Sequence, residues 1–184
     1  IAVVHGAYAA TAAYCSGDLD RAEHELRRGF DILERLGYKG YQSTIAGMLA
    51  AVLIDLGREE EAEEFVAICR ELTVPEDVWA QVQRRDGRAR LLARGEKYAE
   101  AERLAREAVA WSERSDVPDH QGDALRDLAE VLAMAGKRPE AIDALNQALQ
   151  LYLARGSVPM AAQVKQRLAV LGERDTPESI GRLT

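Results

Sequence analysis

The amino-acid sequence predicts an all-α repeat protein built from four helix–turn–helix units and a final helix. Apolar residues recur at three- and four-residue steps, as in amphipathic helices. A short segment with a glycine and then an alanine recurs along the chain. The composition agrees, because 47% of the residues are hydrophobic but only 5% are aromatic. Small apolar residues allow helices to pack closely, whereas strands favour β-branched and aromatic residues.

The repeat is clearest at the alanines that open the second helix of each unit. They are Ala22, Ala62, Ala101 and Ala141, with spacings of 40, 39 and 40 residues. A near-constant period over four units predicts a solenoid in which each unit packs on its neighbours. The glycine before each alanine is interpreted as a helix-ending turn, because glycine readily adopts the left-handed conformation. These turn glycines are Gly17, Gly57, Gly95 and Gly136.

The apolar periodicity assigns two helices to each unit. The first helices are predicted at 3–15, 44–56, 82–94 and 124–135. The second helices are predicted at 19–36, 59–72, 98–115 and 139–155. Val-Pro pairs at 74–75, 117–118 and 158–159 separate the units, whereas Gly37 and Gly40 form a loop at the first junction.

We therefore expect one repeat domain over residues 1–171. Its units are predicted at 1–37, 41–73, 75–116 and 119–156, followed by a capping helix at 159–171. The polar tail, 172–184, has little pattern and is expected to be weakly ordered. Because the chain begins at Ile1 rather than at a methionine, we expect it to be a piece of a longer protein.

Charge and hydropathy argue against nucleic acid and membrane as partners. The net charge is −7, so phosphate backbones are repelled. The longest apolar stretch, 45–54, is far shorter than the roughly 20 residues that span a bilayer. The two cysteines, Cys15 and Cys69, fit a reducing cytoplasm and are interpreted as structural.

Residue patterns for metal, cofactor or catalytic chemistry are missing from the sequence. The three histidines, His5, His24 and His120, have no second ligand at helical spacing. No phosphate-binding glycine loop or nucleophile elbow occurs. We therefore expect no cofactor, no metal and no catalytic residue. Trp79 and Trp111 are interpreted as packing anchors.

The repeat units resemble tetratricopeptide repeats (TPRs). The residues that carry the resemblance are the turn glycines, the four helix-opening alanines, the second-helix residues Gly29, Cys69, Ala108 and Ala148, and the first-helix residues Ala9, Ala10, Leu49, Ala50, Ala89, Leu128 and Ala129. The resemblance covers residues 3–171 and implies a right-handed superhelical solenoid whose first helices line a concave groove. The units depart from the family in length, since the usual TPR has about 34 residues.

The same stretched, alanine- and arginine-rich units also resemble the C-terminal helical arrays of large bacterial signalling proteins. Those proteins carry an ATPase module together with a nucleotidyl cyclase or a DNA-binding domain. The similarity lies mainly in 101–110 and 123–132. It implies an array that senses an effector or a partner for an output domain elsewhere.

Helical rotation places a set of polar side chains in the groove. The candidate ligand-binding residues are Thr11, Tyr14, Gln83, Asp86, Arg90, Asp123, Arg126 and Glu130. Five arginines lie between Arg84 and Arg94 on one helix. A peptide with an apolar part and an acidic part is expected to fit this groove. The alternative is that the arginines pair internally with Asp123, Asp127 and Glu130.

The resemblance implies a non-catalytic scaffold that binds a protein or peptide in the concave groove. The alternative is a domain that senses a small-molecule effector within a transcriptional regulator or nucleotidyl cyclase. A closed superhelix with a deep apolar pocket would favour that alternative. Self-association through the N-terminal unit is a further expectation, because residues 1–8 present apolar surface.

Overall fold

The computed structural model describes residues 2–173, and within that range it contains nine α-helices and no strand. The helices are α1 (Ala2–Ser16), α2 (Leu19–Leu36), α3 (Lys39–Asp55), α4 (Glu59–Leu72), α5 (Val78–Arg94), α6 (Tyr98–Ser112), α7 (Pro118–Met134), α8 (Arg138–Arg155) and α9 (Val158–Glu173). None of these helices is long and apolar enough to cross a membrane. The predicted tail belongs to α9 at 172–173, and its remainder, 174–184, lies outside the described residues.

Two of the second helices, α2 and α4, begin and end where the sequence pattern predicts. The first helices are longer than predicted at their N-terminal ends. Helix α3 begins at Lys39 and so includes Gly40, which the sequence pattern places in a loop. A glycine is tolerated there because the first-turn N–H groups have no partner within the helix. Helix α5 begins at Val78 because the Asp77 carboxylate caps it, accepting a hydrogen bond from the Ala80 N–H at 3.0 Å.

The turns inside the units use a left-handed residue in the same place. Gly17, Gly57 and Gly136 have φ values of 83°, 72° and 75°. In the third unit Gly95 has a φ of −83°, and the next residue, Glu96, takes the left-handed conformation at 60°. A side chain is strained in this conformation, so Glu96 occupies a position that suits glycine.

The first helices α1, α3, α5, α7 and α9 form an inner layer, and the second helices form an outer layer. Helix α5 packs against α3 on one side and α7 on the other. The four helix-opening alanines are 0% exposed at the contact between the layers. Larger side chains there would push the helices apart, which explains why small residues repeat at this position.

The outer surface carries two matching ion-pair networks whose members are 79 residues apart in the sequence. In the first, Arg27 and Arg58 each pair with both Glu23 and Glu61. In the second, the corresponding residues are Arg106, Lys137, Glu102 and Glu140. Each network joins α2 to α4, or α6 to α8, so the larger repeat of the structure spans two units.

Helix α9 covers the fourth unit and also reaches the first helix. Val164 and Met160 pack into the core of the C-terminal half. Gln163 Nε2 donates hydrogen bonds to the carbonyl oxygens of Cys15, at 2.9 Å, and Tyr14, at 3.4 Å. The last helix therefore contacts the first helix, and the five inner helices close around a common axis.

Candidate functional site

The inner helices surround a cavity of about 400 Å³, which we call the axial cavity. Seven of the eight predicted groove residues line it. They are Thr11, Tyr14, Gln83, Asp86, Arg90, Asp123 and Arg126. The eighth, Glu130, contacts Arg90 rather than lining the cavity. A volume of this size lies within the range of small-molecule sites.

The axial cavity has an exposed end and a buried end. Tyr8, 72% exposed, and Val117, 37% exposed, lie at the open end. Arg90 and Arg126 also line the cavity and are buried, at 1% and 4% exposed. Met48, Val52 and other apolar side chains form much of the wall between them.

Trp79 and His120 form a stacked pair in the cavity wall. Their ring centroids are 3.9 Å apart, and the planes differ by 12°. His120 Nδ1 shares a hydrogen bond of 2.8 Å with the Ser115 hydroxyl. Burial lowers the pKa of His120, so its ring is neutral at pH 7. Trp79, expected to be a packing anchor, thus also lines the cavity.

Arg90 is the centre of one buried polar network. Its Nη2 donates to Asp55 on α3, and its Nε donates to Glu130 on α7 at 3.0 Å. The Tyr14 hydroxyl donates to the other oxygen of Asp55 at 2.8 Å. Burial opposes ionisation of Asp55, but the Arg90 charge and these hydrogen bonds hold the pKa of Asp55 below its usual value. This network connects four of the five inner helices, α1, α3, α5 and α7.

Arg126 is the centre of a second network on α7. Its Nη1 lies 2.9 Å from Asp123, and its Nη2 lies 2.9 Å from Asp127. The Tyr152 hydroxyl donates to Asp123 at 2.6 Å. A Cβ atom added to Gly122 would lie 2.8 Å from the Tyr152 ring. Glycine at this position therefore leaves room for the ring. All three charged side chains are therefore held by partners within the fold.

The other arginines of α5 are also engaged. Arg94 lies 2.8 Å from Glu130, and Arg88 lies 2.5 Å from Glu63. Arg85 lies over the Trp111 ring, 4.9 Å from its centroid, and Arg84 donates to Gln81. Of the three internal partners considered, only Glu130 pairs with arginines of α5, because Asp123 and Asp127 pair with Arg126 of α7. The expectation that these arginines receive an acidic segment of a peptide loses its basis.

Four buried side-chain atoms of cavity-lining residues have no hydrogen-bond partner among the described residues. Three are oxygens, Oε1 of Gln83, Oδ1 of Asp86 and Oδ1 of Asp119. The fourth is Nη1 of Arg90. Burial, with a smaller contribution from Asp127, raises the pKa of Asp86 well above its usual value. An unpaired buried polar atom is costly, so these four atoms are candidates for hydrogen bonds to a ligand or to bound water.

Gly47 fixes the position of one of these oxygens. A Cβ on Gly47 would lie 2.9 Å from Gln83 Oε1 and 2.8 Å from Gln83 Cβ. Glycine on α3 therefore lets Gln83 of α5 pack directly on the helix backbone. The close approach places the amide group of Gln83, a residue that lines the cavity, against α3 at Gly47.

The cysteines keep their protons at neutral pH. Burial raises the pKa of the Cys69 thiol to about 11 and also raises that of Cys15. Neither is in a disulfide. No group of three or more His, Cys, Asp or Glu side chains in 2–173 is arranged to hold a metal ion.

Sequence reasoning missed two residues of the polar networks. Neither Asp55 nor Tyr152 is among the candidate residues that the sequence pattern indicates. The signal for Asp55 was available, because it is the one acidic residue of α3 and directly follows the apolar stretch 45–54. Tyr152 lies on a second helix, and its reach to Asp123 depends on the absence of a side chain at Gly122.

Comparison with known proteins agrees with this architecture. Residues 80–154 match the family model of the tetratricopeptide repeat. A crystal structure of putative kinesin light chain TPR-like repeats from Podosopora anserina is 17% identical and covers 96% of this chain and 97% of its own, with a TM-score of 0.50. A glutamine-to-methionine variant of those repeats is 18% identical over 94% and 95%, with a TM-score of 0.49. The chain has a TPR-like solenoid fold. A search of the curated proteins gave no match.

The TPR-like assignment agrees with the positions of the small residues. Cys69, Ala108 and Ala148 occupy equivalent second-helix positions, and all are fully buried. TPRs in general are non-catalytic scaffolds that bind other proteins. In this TPR-like chain the surface equivalent to the concave groove is the wall of the axial cavity.

Proposed function

We propose that this chain is a non-catalytic binding scaffold whose concave face holds a segment of a partner protein. One side chain or chain end of that segment enters the axial cavity. The observation that supports this function is the set of unpaired buried atoms on α5, namely those of Gln83, Asp86 and Arg90, at the wall of the axial cavity. Atoms of this kind gain most from a ligand that supplies the missing hydrogen bonds.

A second candidate function is the sensing of a small-molecule effector, as in the regulators and cyclases that the units resemble. The observation that favours it is the contact of α9 with α1 through Gln163 and Cys15. This contact restricts the groove to a cavity of about 400 Å³, which suits a compact ligand. In such a protein the inner helices around the cavity would transmit ligand binding to an output domain.

Selection of a random peptide library on the purified chain tests the proposed function. Ala51→Trp is the blocking variant, because Ala51 lines the axial cavity. Ala99→Trp is the matched control, because Ala99 is exposed on the outer helix α6. We expect the wild type and Ala99→Trp to enrich the same peptides and Ala51→Trp to lose them.

Equal enrichment on Ala51→Trp would place peptide binding outside the cavity and contradict the proposal. If no peptide is enriched, a thermal-shift screen of small molecules with the same three proteins tests the second candidate. Compounds that raise the melting temperature of the wild type and Ala99→Trp alone would support effector sensing.

A further inference from the structure

The axial cavity has more free acceptors than free donors. Gln83, Asp86 and Asp119 each leave one buried oxygen without a partner among the described residues, whereas Arg90 leaves one nitrogen. Gln83 and Asp86 are more than nine-tenths buried and line the cavity. With Asp86 ionised, a ligand that satisfies this set donates several hydrogen bonds and accepts one.

The charged side chains around the cavity also favour a ligand that donates hydrogen bonds, because acidic groups outnumber basic ones. Its lining contains two arginines, Arg90 and Arg126, and four aspartates, at positions 86, 119, 123 and 127. Both arginines already contact two carboxylates each. An anion would meet guanidinium groups that are already paired, whereas a cation would meet Asp86, whose Oδ1 has no hydrogen-bond partner within 2–173. A buried carboxyl group is stabilised in its charged form by a cation beside it.

The rest of the wall suits the body of an organic cation. Met48, Val52 and Met160 offer apolar contacts. Trp79 offers an aromatic ring, and aromatic faces attract cations. The Tyr14 ring already has the Arg126 guanidinium over it, 5.7 Å from the ring centroid. Trp79 is held in place by its stack on His120.

We propose that the axial cavity binds an organic ammonium ion, with the charged nitrogen donating to Asp86 and Gln83 and an apolar body against Met48 and Val52. This assignment rests on the proposed function, since it names the chemistry of the ligand at the same site. The ammonium group is either that of a free amine or that of a lysine side chain of the partner protein. Arg90 Nη1 is left to donate to an oxygen atom next to the amine.

Isothermal titration calorimetry at pH 7 tests the charge requirement with three probes of similar shape. They are 2-phenylethylamine, 2-phenylethanol and 3-phenylpropanoate. We expect the amine to bind at least about tenfold more tightly than the alcohol, and the carboxylate to bind most weakly. Equal binding of amine and alcohol, or tighter binding of the carboxylate, would overturn the assignment.

Two variants locate the ammonium group. Asp86→Asn keeps the shape of the side chain and removes its charge, and it is expected to weaken amine binding by about thirtyfold, as for loss of one partner of a buried charge pair. Gln83→Met removes the second acceptor and is expected to weaken it severalfold. Asp143→Asn, on an exposed residue of α8, is the matched control and should bind as the wild type does. Circular dichroism confirms that each variant is folded.

A peptide pair distinguishes the two sources of the ammonium group. Acetyl-Gly-Lys-Gly-amide is compared with the same peptide acetylated on its lysine. Tighter binding of the unmodified peptide assigns the cavity to a lysine of a partner, and binding of the free amine alone assigns it to a small molecule. If the random peptide library yields peptides whose binding is lost in Ala51→Trp but no amine binds, the assignment of an ammonium ligand is wrong and the proposed scaffold function stands. If neither binds, the proposed function itself fails.

Discussion

Gln163 on the last described helix donates a hydrogen bond of 2.9 Å to the backbone carbonyl oxygen of Cys15 on the first. This contact spans 148 residues of sequence. It converts a row of helix pairs into a closed ring. The cavity inside that ring contains the unpaired polar atoms on which the proposed function rests.

Loss of the Gln163 side chain is predicted to loosen the ring without unfolding it. Gln163→Leu should lower the free energy of unfolding by about 1 kcal/mol, the usual net value of one hydrogen bond. Amide hydrogen exchange should become faster in α9 and at the C-terminal end of α1. Gln166→Leu, an exposed position on the same helix, is the control. Equal exchange rates in the two variants would show that the contact does not hold the ring.

Removal of the Arg90 charge is predicted to be strongly destabilising. Arg90→Met leaves the carboxylates of Asp55 and Glu130 buried without their cation, so we expect a loss of about 3–5 kcal/mol in urea-induced unfolding. Arg103, an exposed arginine paired with Glu107, is the comparison. Arg103→Met should cost about 0.5 kcal/mol or less. Similar losses in both variants would contradict the central position of Arg90.

The third turn is predicted to gain stability from glycine. Glu96→Gly removes a side chain from a left-handed residue and should raise the free energy of unfolding by about 1 kcal/mol. Gly57→Ala places a side chain in the left-handed conformation and should lower it by a similar amount, about 1 kcal/mol. Gly95→Ala, at a φ of −83°, should not be destabilising. Thermal unfolding measures all three, and a destabilising Glu96→Gly would refute the assignment of strain.

Asp86 is predicted to make the empty protein less stable as the pH rises. In the folded state the pKa of Asp86 is raised mainly by burial and also by the negative charges of Asp127 and Asp123. The positive charges of Arg126 and Arg90 lower this pKa, but their effect is smaller. Below the unfolded pKa, about 3.9, both states carry the proton and the residue is neutral in its effect. Above that value the unfolded state releases its proton first, so folding is progressively disfavoured. Asp86→Asn should therefore stabilise the protein at pH 7 but not at pH 4.

Denaturant unfolding of Asp86→Asn at the two pH values checks this prediction. Asp143→Asn serves again as the control, and the difference between the two variants should grow with pH. An unchanged difference between pH 4 and pH 7 would mean that Asp86 is ionised and paired in the empty cavity.

The fold could be predicted from the sequence because it depends on local signals that repeat. The alanines at 22, 62, 101 and 141 are all at the contact between inner and outer helices. The turn glycines are where the period predicts, and even the displaced Gly95 marks a real irregularity, since Glu96 takes over the left-handed conformation. Helix starts were less predictable, because caps such as Asp77 extend a helix beyond its apolar pattern.

The candidate site could be predicted only in part. Helical rotation brought seven of the eight residues to one surface, but pairing across helices cannot be obtained from rotation alone. Arg90 reaches α3 and α7 at the same time, so its charge is already satisfied. The enclosure of the groove depends on Gln163 meeting Cys15, a contact that no local pattern indicates. The preferred ligand therefore changes from an acidic peptide to a cation.

Methyl NMR of the three methionines tests the central claim most directly, that an organic cation enters the axial cavity. Met48 and Met160 line the cavity, whereas Met134, 38% exposed, does not. On titration with 2-phenylethylamine at pH 7, the ε-methyl signals of Met48 and Met160 should shift together and saturate, while that of Met134 stays in place. Unchanged signals at Met48 and Met160, or a shift at Met134 alone, would contradict binding in the cavity.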